Sequence, residues 1–283
     1  MSADELRFPG VRRGYLDGRW GQIHYRLAGE LGDRSAKHGK PPLLCLHLTP
    51  KTGWIFEPLL ADLGSDRVAI APDTPGYGGS DPPPSLLLAD AYAQEFASFM
   101  EALRVRTGGG PFDVLGYHTG SSFALALANL AGERVRRVVL VSLADFSPEE
   151  RKQRLDSLDF ESPIKPDGSH VAAQWALIGK GMDTRLGSEW RHQSLAENLR
   201  SGRRIWWAYN AVHRQDLRGA LGRLRQPALI VNPQDDLWEK TRAIAALHPH
   251  IAYAELPGAG HGVFHAEREK TSKLVRDFLD ARA

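Results

Sequence analysis

The chain reads as an α/β protein: a mostly parallel central sheet of about eight strands, helices on both faces, and an inserted helical segment. Three observations predict this. Short apolar runs alternate with stretches of helical periodicity, the order that builds parallel strands joined by crossover helices. The runs LLCL, VVLV and ALIV lack polar alternation, as strands covered on both faces should. The alternation stops near Asp145 and resumes after Leu224, and the stretch between is polar, tryptophan-bearing and without a convincing strand.

The elements follow in order. RRGYLDGRWGQIHYRLAG alternates about the turn signal Asp17-Gly18 and predicts an antiparallel hairpin. The polar stretch 29–42 reads as a surface loop. Residues 43–48 form a buried strand, followed by the helix-like WIFEPLLADLG. Residues 68–71 form a strand that runs into the Gly/Pro-rich PDTPGYGGSDPPP. The stretch 89–105 has helical spacing, with Tyr92, Phe96, Phe99, Met100 and Leu103 on one face. Phe112, Val114 and Leu115 enter the next strand, an Ala/Leu-rich helix follows, and 136–141 is a valine-rich strand. Strands resume at 228–231 and 251–256, each followed by a helix, the last being the amphipathic KTSKLVRDFLDA. The predicted division is a core of 1–145 and 225–283 with a helical cap of 146–224 inserted after the sixth strand. No internal repeat or low-complexity tract interrupts it.

Composition narrows the function class. A chain of 283 residues with 42% hydrophobic and 25% charged residues can bury a sizeable core. A net charge of only +2, with arginines dispersed, argues against a nucleic-acid partner. The lone Cys45 lies in an apolar run and reads as a core residue. Residues 1–20 carry no apolar signal core and no run reaches transmembrane length, so no membrane partner and a cytoplasmic location are expected; monomer and homodimer are both open.

The most informative segment is VLGYHTGSSFALA at 114–126. A strand enters the turn Gly116-Tyr117-His118-Thr119-Gly120 and a helix leaves it. Such a turn strains its middle residue and lifts that side chain above the sheet, with glycines where a Cβ would collide. Here the lifted side chain is an imidazole.

Four further segments accompany it in order: LLCLHLTP (43–50), APDTPGYGGSDPP (71–83), PALIVNPQDD (227–236) and LPGAGHGVFH (256–265). Together with GYHTG they resemble the oxyanion loop, turn, nucleophile elbow, acid and histidine segments of the α/β-hydrolase fold, over nearly the whole chain. The resemblance implies a cap-containing member with His118 at the position of the nucleophilic serine. Carried over, His261 becomes the general base and Asp235 the acid that orients it, with Asp236 the rival. The Thr49 and Thr119 amides become the oxyanion donors, and Thr49, Thr119 and Leu48 the oxyanion and substrate contacts. His47, followed by Leu48 where a glycine is commoner, is expected to brace the loop.

The imidazole leaves several chemistries open. His118 can act as a covalent nucleophile, with a nearby His261 lowering its pKa, or it can polarise substrate while His261 and Asp235 activate water. Both suit an ester, lactone or C–C bond of a small, possibly aromatic molecule. Proton abstraction in a cofactor-independent lyase or oxygenase, and a non-catalytic binding protein, are the alternatives. Ser121 and Ser122 fall in the first turn of the helix, away from the apex. His261 and His265 are four apart, yet no HExxH or Cys/His cluster exists, and neither metal nor cofactor is expected. Trp175, Trp190, Trp206, Trp207 and Tyr209 either line the pocket or glue the cap to the core, and His170 and His213 are further pocket candidates.

Overall fold

The computed structural model describes residues 6, 8–32, 39–161 and 163–282. Its strands are β1 (Arg12–Gly18), β2 (Gly21–Ala28), β3 (Leu43–Leu46), β4 (Ala69–Pro72), β5 (Phe112–Tyr117), β6 (Val135–Val141), β7 (Ala228–Pro233) and β8 (Ala252–Leu256). They form one eight-stranded sheet in the order β1-β2-β4-β3-β5-β6-β7-β8. β1 and β2 pair antiparallel, and so do β2 and β4. All other neighbours are parallel.

Two-sided burial explains the apolar runs. In β3, Leu44 and Leu46 face one core while Leu43 and Cys45 face the other. In β6, Val138 and Leu140 oppose Val139 and Val141 in the same way. The first core is covered by α2 (Ala89–Leu103) and α3 (Thr119–Ala131), through Phe96, Phe99 and Phe123. The second is covered by α1 (Glu57–Leu63), and, later in the chain, by the helices that follow β8. Each fully buried Leu or Phe contributes roughly 1.5–3 kcal/mol, so a period-2 pattern of polar residues would be far costlier here than in a one-sided sheet.

Between β6 and β7 the chain forms α4 (Pro148–Ser157), α5 (Ser169–Gly181), α6 (Ser188–Leu199), α7 (Trp207–Arg214) and α8 (Leu217–Gly222). Then follow α9 (Trp238–Ala246), α10 (Val263–Ala266) and α11 (Arg268–Asp280). Among the described residues no helix is long and apolar enough to cross a membrane.

The structure adjusts several boundaries. The hairpin turns at Arg19-Trp20, since Gly18 pairs with Gly21. Gly21 has φ +124, and a Cβ there would lie 2.3 Å from the Asp81 carboxylate that binds the Gln22 amide. The strand predicted over 43–48 ends at Leu46, and the chain leaves the sheet so that Leu48, Thr49 and Pro50 line the site. The helix predicted over 89–105 ends at Leu103 and continues as a tighter 3-10 turn to Thr107, closed by Gly108 at φ 89. Residues 33–38 of the predicted surface loop lie outside the described residues.

Candidate active site

The elbow joins β5 to α3 through His118, whose φ of 51° and ψ of −112° lie outside the regions that L-residues favour. Its backbone N–H donates to Val141 O at 2.8 Å, which ties the turn to β6. The flanking glycines are steric necessities. A Cβ on Gly116 would sit 2.2 Å from Gly120 O, and one on Gly120 would sit 1.9 Å from Leu46 O. Ser121 is consumed by the same turn: its hydroxyl lies 2.9 Å from Gly116 O and 2.8 Å from Val141 O. Ser122 is buried in the same first turn of α3, behind the apex.

Two carboxylates leave the end of β7 and one imidazole leaves the turn after β8. His118 Nε2 lies 2.8 Å from Asp235 Oδ2, and Ser142 donates to that same oxygen at 2.6 Å. The other Asp235 oxygen accepts the Leu237 amide at 2.9 Å, and the side chain is fully buried. His261 Nε2 lies 2.7 Å from Asp236 Oδ1, on a side chain that is 65% exposed. The two rings are 4.9 Å apart, centroid to centroid. Tyr117 OH lies 3.5 Å from His261 Nδ1.

This corrects two expectations. The sequence pairs Asp235 with His261; the structure gives Asp235 to His118 and Asp236 to His261. Both acids lie in the turn between β7 and α9, where the Asp235 amide donates to Pro233 O, and that turn brings each acid to a different ring. The predicted lowering of the His118 pKa is also reversed. Burial alone would lower it, but the charge and hydrogen bond of Asp235, aided by Asp236, raise it above the usual imidazole value. Asp235 is correspondingly held below the carboxylate range: burial pushes it up, and the His118 charge and hydrogen bond more than offset this. Asp236 is likewise held low, burial being outweighed by the His261 hydrogen bond and both imidazoles.

Around these pairs the loop after β3 supplies the remaining groups. Thr49 Oγ1 and Thr119 Oγ1 are 2.9 Å apart, so the Thr119 hydroxyl links the two loops instead of capping its helix. His47 braces the loop: its Nδ1–H donates to Leu48 O and its Nε2 accepts the Thr74 amide, both at 2.8 Å. Burial lowers its pKa and keeps it neutral in that role. Tyr209 OH donates to Thr49 O at 2.8 Å, fastening α7 to the same loop.

A cavity of about 660 Å³ opens above His118, His261 and both acids, with Leu48, Thr49 and Thr119 in its wall. Its far side is built by the helical segment, through Phe146, Leu177, Trp190, Trp206, Tyr209 and His213. Trp175 is outside this lining, beneath the Arg191 guanidinium at 4.1 Å, and Trp207 sits beside Arg204. His170 is also outside, accepting the Lys165 amide. His265 does not join His261; its ring is buried against Trp54 and Trp190, and desolvation lowers its pKa to about 3.

Three contributors carry no sequence signal of their own. Ser142, at φ 56, positions Asp235 from the end of β6. Tyr117 backs His261. Lys51 follows the oxyanion loop, lines the cavity, and donates to Asn198 Oδ1 at 2.7 Å and Ser194 O at 3.3 Å. Burial lowers its pKa to about 7, against the opposing charge of Glu197.

The family model for the alpha/beta hydrolase fold matches residues 41–267. The chain belongs to the α/β-hydrolase fold family. As a member it is a hydrolase, and its relatives work on small organic molecules. It is 27% identical over 264 residues to a 2-(acetamidomethylene)succinate hydrolase of Mesorhizobium japonicum, covering 87% of this chain and 90% of that one. It is 25% identical over 263 residues to a 2-hydroxymuconate semialdehyde hydrolase of a Pseudomonas species, covering 84% and 86%. Among solved α/β-hydrolase structures, an enol-lactonase from Burkholderia xenovorans superposes with a TM-score of 0.76 at 22% identity, over 95% of this chain and 100% of the other.

Proposed function

We propose that the protein hydrolyses an ester, lactone or C–C bond of a small organic acid, with water as the attacking group and no serine at the elbow. The observation that carries this reading is the commitment of His118 Nε2 to Asp235, which raises the His118 pKa. A nucleophilic imidazole must be neutral, and this one is biased toward the cation. As a cation beside the cavity it suits a different task, stabilising negative charge on substrate.

The Thr49 and Thr119 amides would receive the oxygen of the reacting carbonyl, which becomes an oxyanion as water adds to the carbon. The paired His261–Asp236 at the cavity floor is the group that generates hydroxide from that water, while the His118 cation faces the developing negative charge. The bond to the leaving group then breaks, and the proton taken from water goes to the departing atom. Lys51 and Arg154 line the same cavity and suit a substrate carboxylate. Relatives named for a succinate derivative and a muconate semialdehyde support that class of substrate. The segment 146–224 acts as the cap, its aromatic residues closing the cavity over an apolar part of the substrate.

A panel of p-nitrophenyl esters and lactones bearing or lacking a carboxylate tests this. Wild type is expected to favour the carboxylated compounds, and His261→Ala to lose about 10²–10⁴-fold in kcat. His118→Ser, which restores the hydroxyl, is not expected to recover turnover, because His261 Nε2 faces Asp236 instead of the elbow. Undiminished turnover in His261→Ala, or a gain in His118→Ser, sinks the reading.

A further inference from the structure

Four potential ligand atoms, two imidazole nitrogens and two carboxylate oxygens, meet at the cavity floor. Here His118 Nε2 and His261 Nε2 both face acids, at 2.8 Å from Asp235 Oδ2 and 2.7 Å from Asp236 Oδ1. Asp236 Oδ1 is also 4.0 Å from His118 Nε2, so it stands between the rings. One donor atom each from His118, His261 and Asp236 lies within 4.8 Å of the others. A tetrahedral ion with ligands ~2.0–2.1 Å away holds its ligand atoms about 3.3 Å apart, in the middle of these separations.

We propose that His118, His261 and Asp236, with Asp235 alongside, bind a first-row divalent cation such as Zn²⁺, Mn²⁺ or Co²⁺. The two carboxylates balance its charge, and binding of the cation displaces the proton from His118 Nε2. Nitrogen and oxygen donors without a thiolate match these ions. Asp235, held by Ser142 and the Leu237 amide, completes the set, since its bond to His118 Nε2 is given up once that nitrogen ligates the cation. Tyr117 supplies an outer partner: with His261 Nε2 on the cation, Nδ1 carries the ring proton and faces the Tyr117 oxygen. Three protein ligands with a position open to a cavity is the arrangement of a hydrolytic metal site. Binding rests on the geometry alone. Its catalytic consequence rests on the hydrolase reading above: a cation-bound water that loses its proton near neutral pH is the attacking hydroxide.

The test uses full-length protein stripped with a chelator, then titrated with Zn²⁺ by calorimetry and with Co²⁺ by visible absorption. One cation per chain at micromolar affinity or tighter is expected. His118→Ala and Asp236→Asn should each weaken binding at least about 10-fold, whereas His248→Ala, in the ring pair with His250 on another part of the chain, should not. X-ray absorption of zinc-loaded wild type should show two imidazoles, a readout independent of whether a variant folds. Absence of binding below millimolar, retention of affinity in Asp236→Asn, or a spectrum without imidazole overturns the site. Full turnover by stripped protein overturns the cation's part and leaves the hydrolase reading intact. Stoichiometric binding with no turnover on the ester and lactone panel supports the site and sinks the hydrolase reading.

Discussion

His118 holds a backbone conformation of the kind that costs on the order of 1–3 kcal/mol and persists where its surroundings over-determine it. Those surroundings are visible: the Val141 carbonyl on its amide, Asp235 on its ring, and glycines on both sides. Lys51 is the second residue with a measurable signature. Its folded pKa of about 7 lies below that of an unfolded lysine, so between pH 7 and about 10.5 the unfolded chain binds the extra proton. Its contribution to stability is therefore fully present at high pH and is lost as pH falls through about 7. Lys51→Met is expected to flatten this rise. Denaturant titrations of both proteins from pH 6 to pH 10 measure it, and parallel pH profiles would contradict it.

At the scale of elements, the elbow was the most legible part of the chain because its glycines answer to sterics alone. Gly120→Ala places a methyl against the Leu46 carbonyl, a backbone atom that cannot turn away. A loss of about 2–4 kcal/mol is expected in thermal or denaturant unfolding. Gly110→Ala, where nothing lies within 4 Å, should stay within about 0.5 kcal/mol. The strands were legible for a related reason: burial on both faces leaves an unbroken apolar run. The pairing of acids with imidazoles was not legible. Asp235 and Asp236 are adjacent in sequence, and which one meets His118 depends on how the chain leaves β7. The proposed ligand cluster was hidden from motif reading because Asp236 and His261 stand more than a hundred positions beyond His118.

Over the whole molecule, one buried cation ties the helical segment to the sheet. Arg26 on β2 bonds Glu57 at 2.8 Å and Asp73 at 3.1 Å, and lies 3.8 Å from Glu197 on α6. Thr52 donates to Glu197 at 2.7 Å, which adds the loop before α1 to the same knot. Glu197→Gln removes the charge that the inserted helices bring to this network. A loss of about 1–3 kcal/mol is expected, with hydrogen exchange rising in α6 before it rises in β3 or β5. Uniform exchange across the chain would contradict a link of this kind. The cavity itself depends on that link, since its floor belongs to the sheet and its far side to the insertion.

The shared centre at the cavity floor is tested most directly by a double-mutant cycle on turnover. The kcat/KM of wild type, His118→Ala, His261→Ala and the double variant is measured on the best ester or lactone. Groups that work as one unit are strongly non-additive. Each single variant should therefore fall at least about 10²-fold, with the double variant little lower than the worse single. Wild-type kcat/KM in His118→Ala, or losses that simply multiply in the double variant, would contradict a common centre.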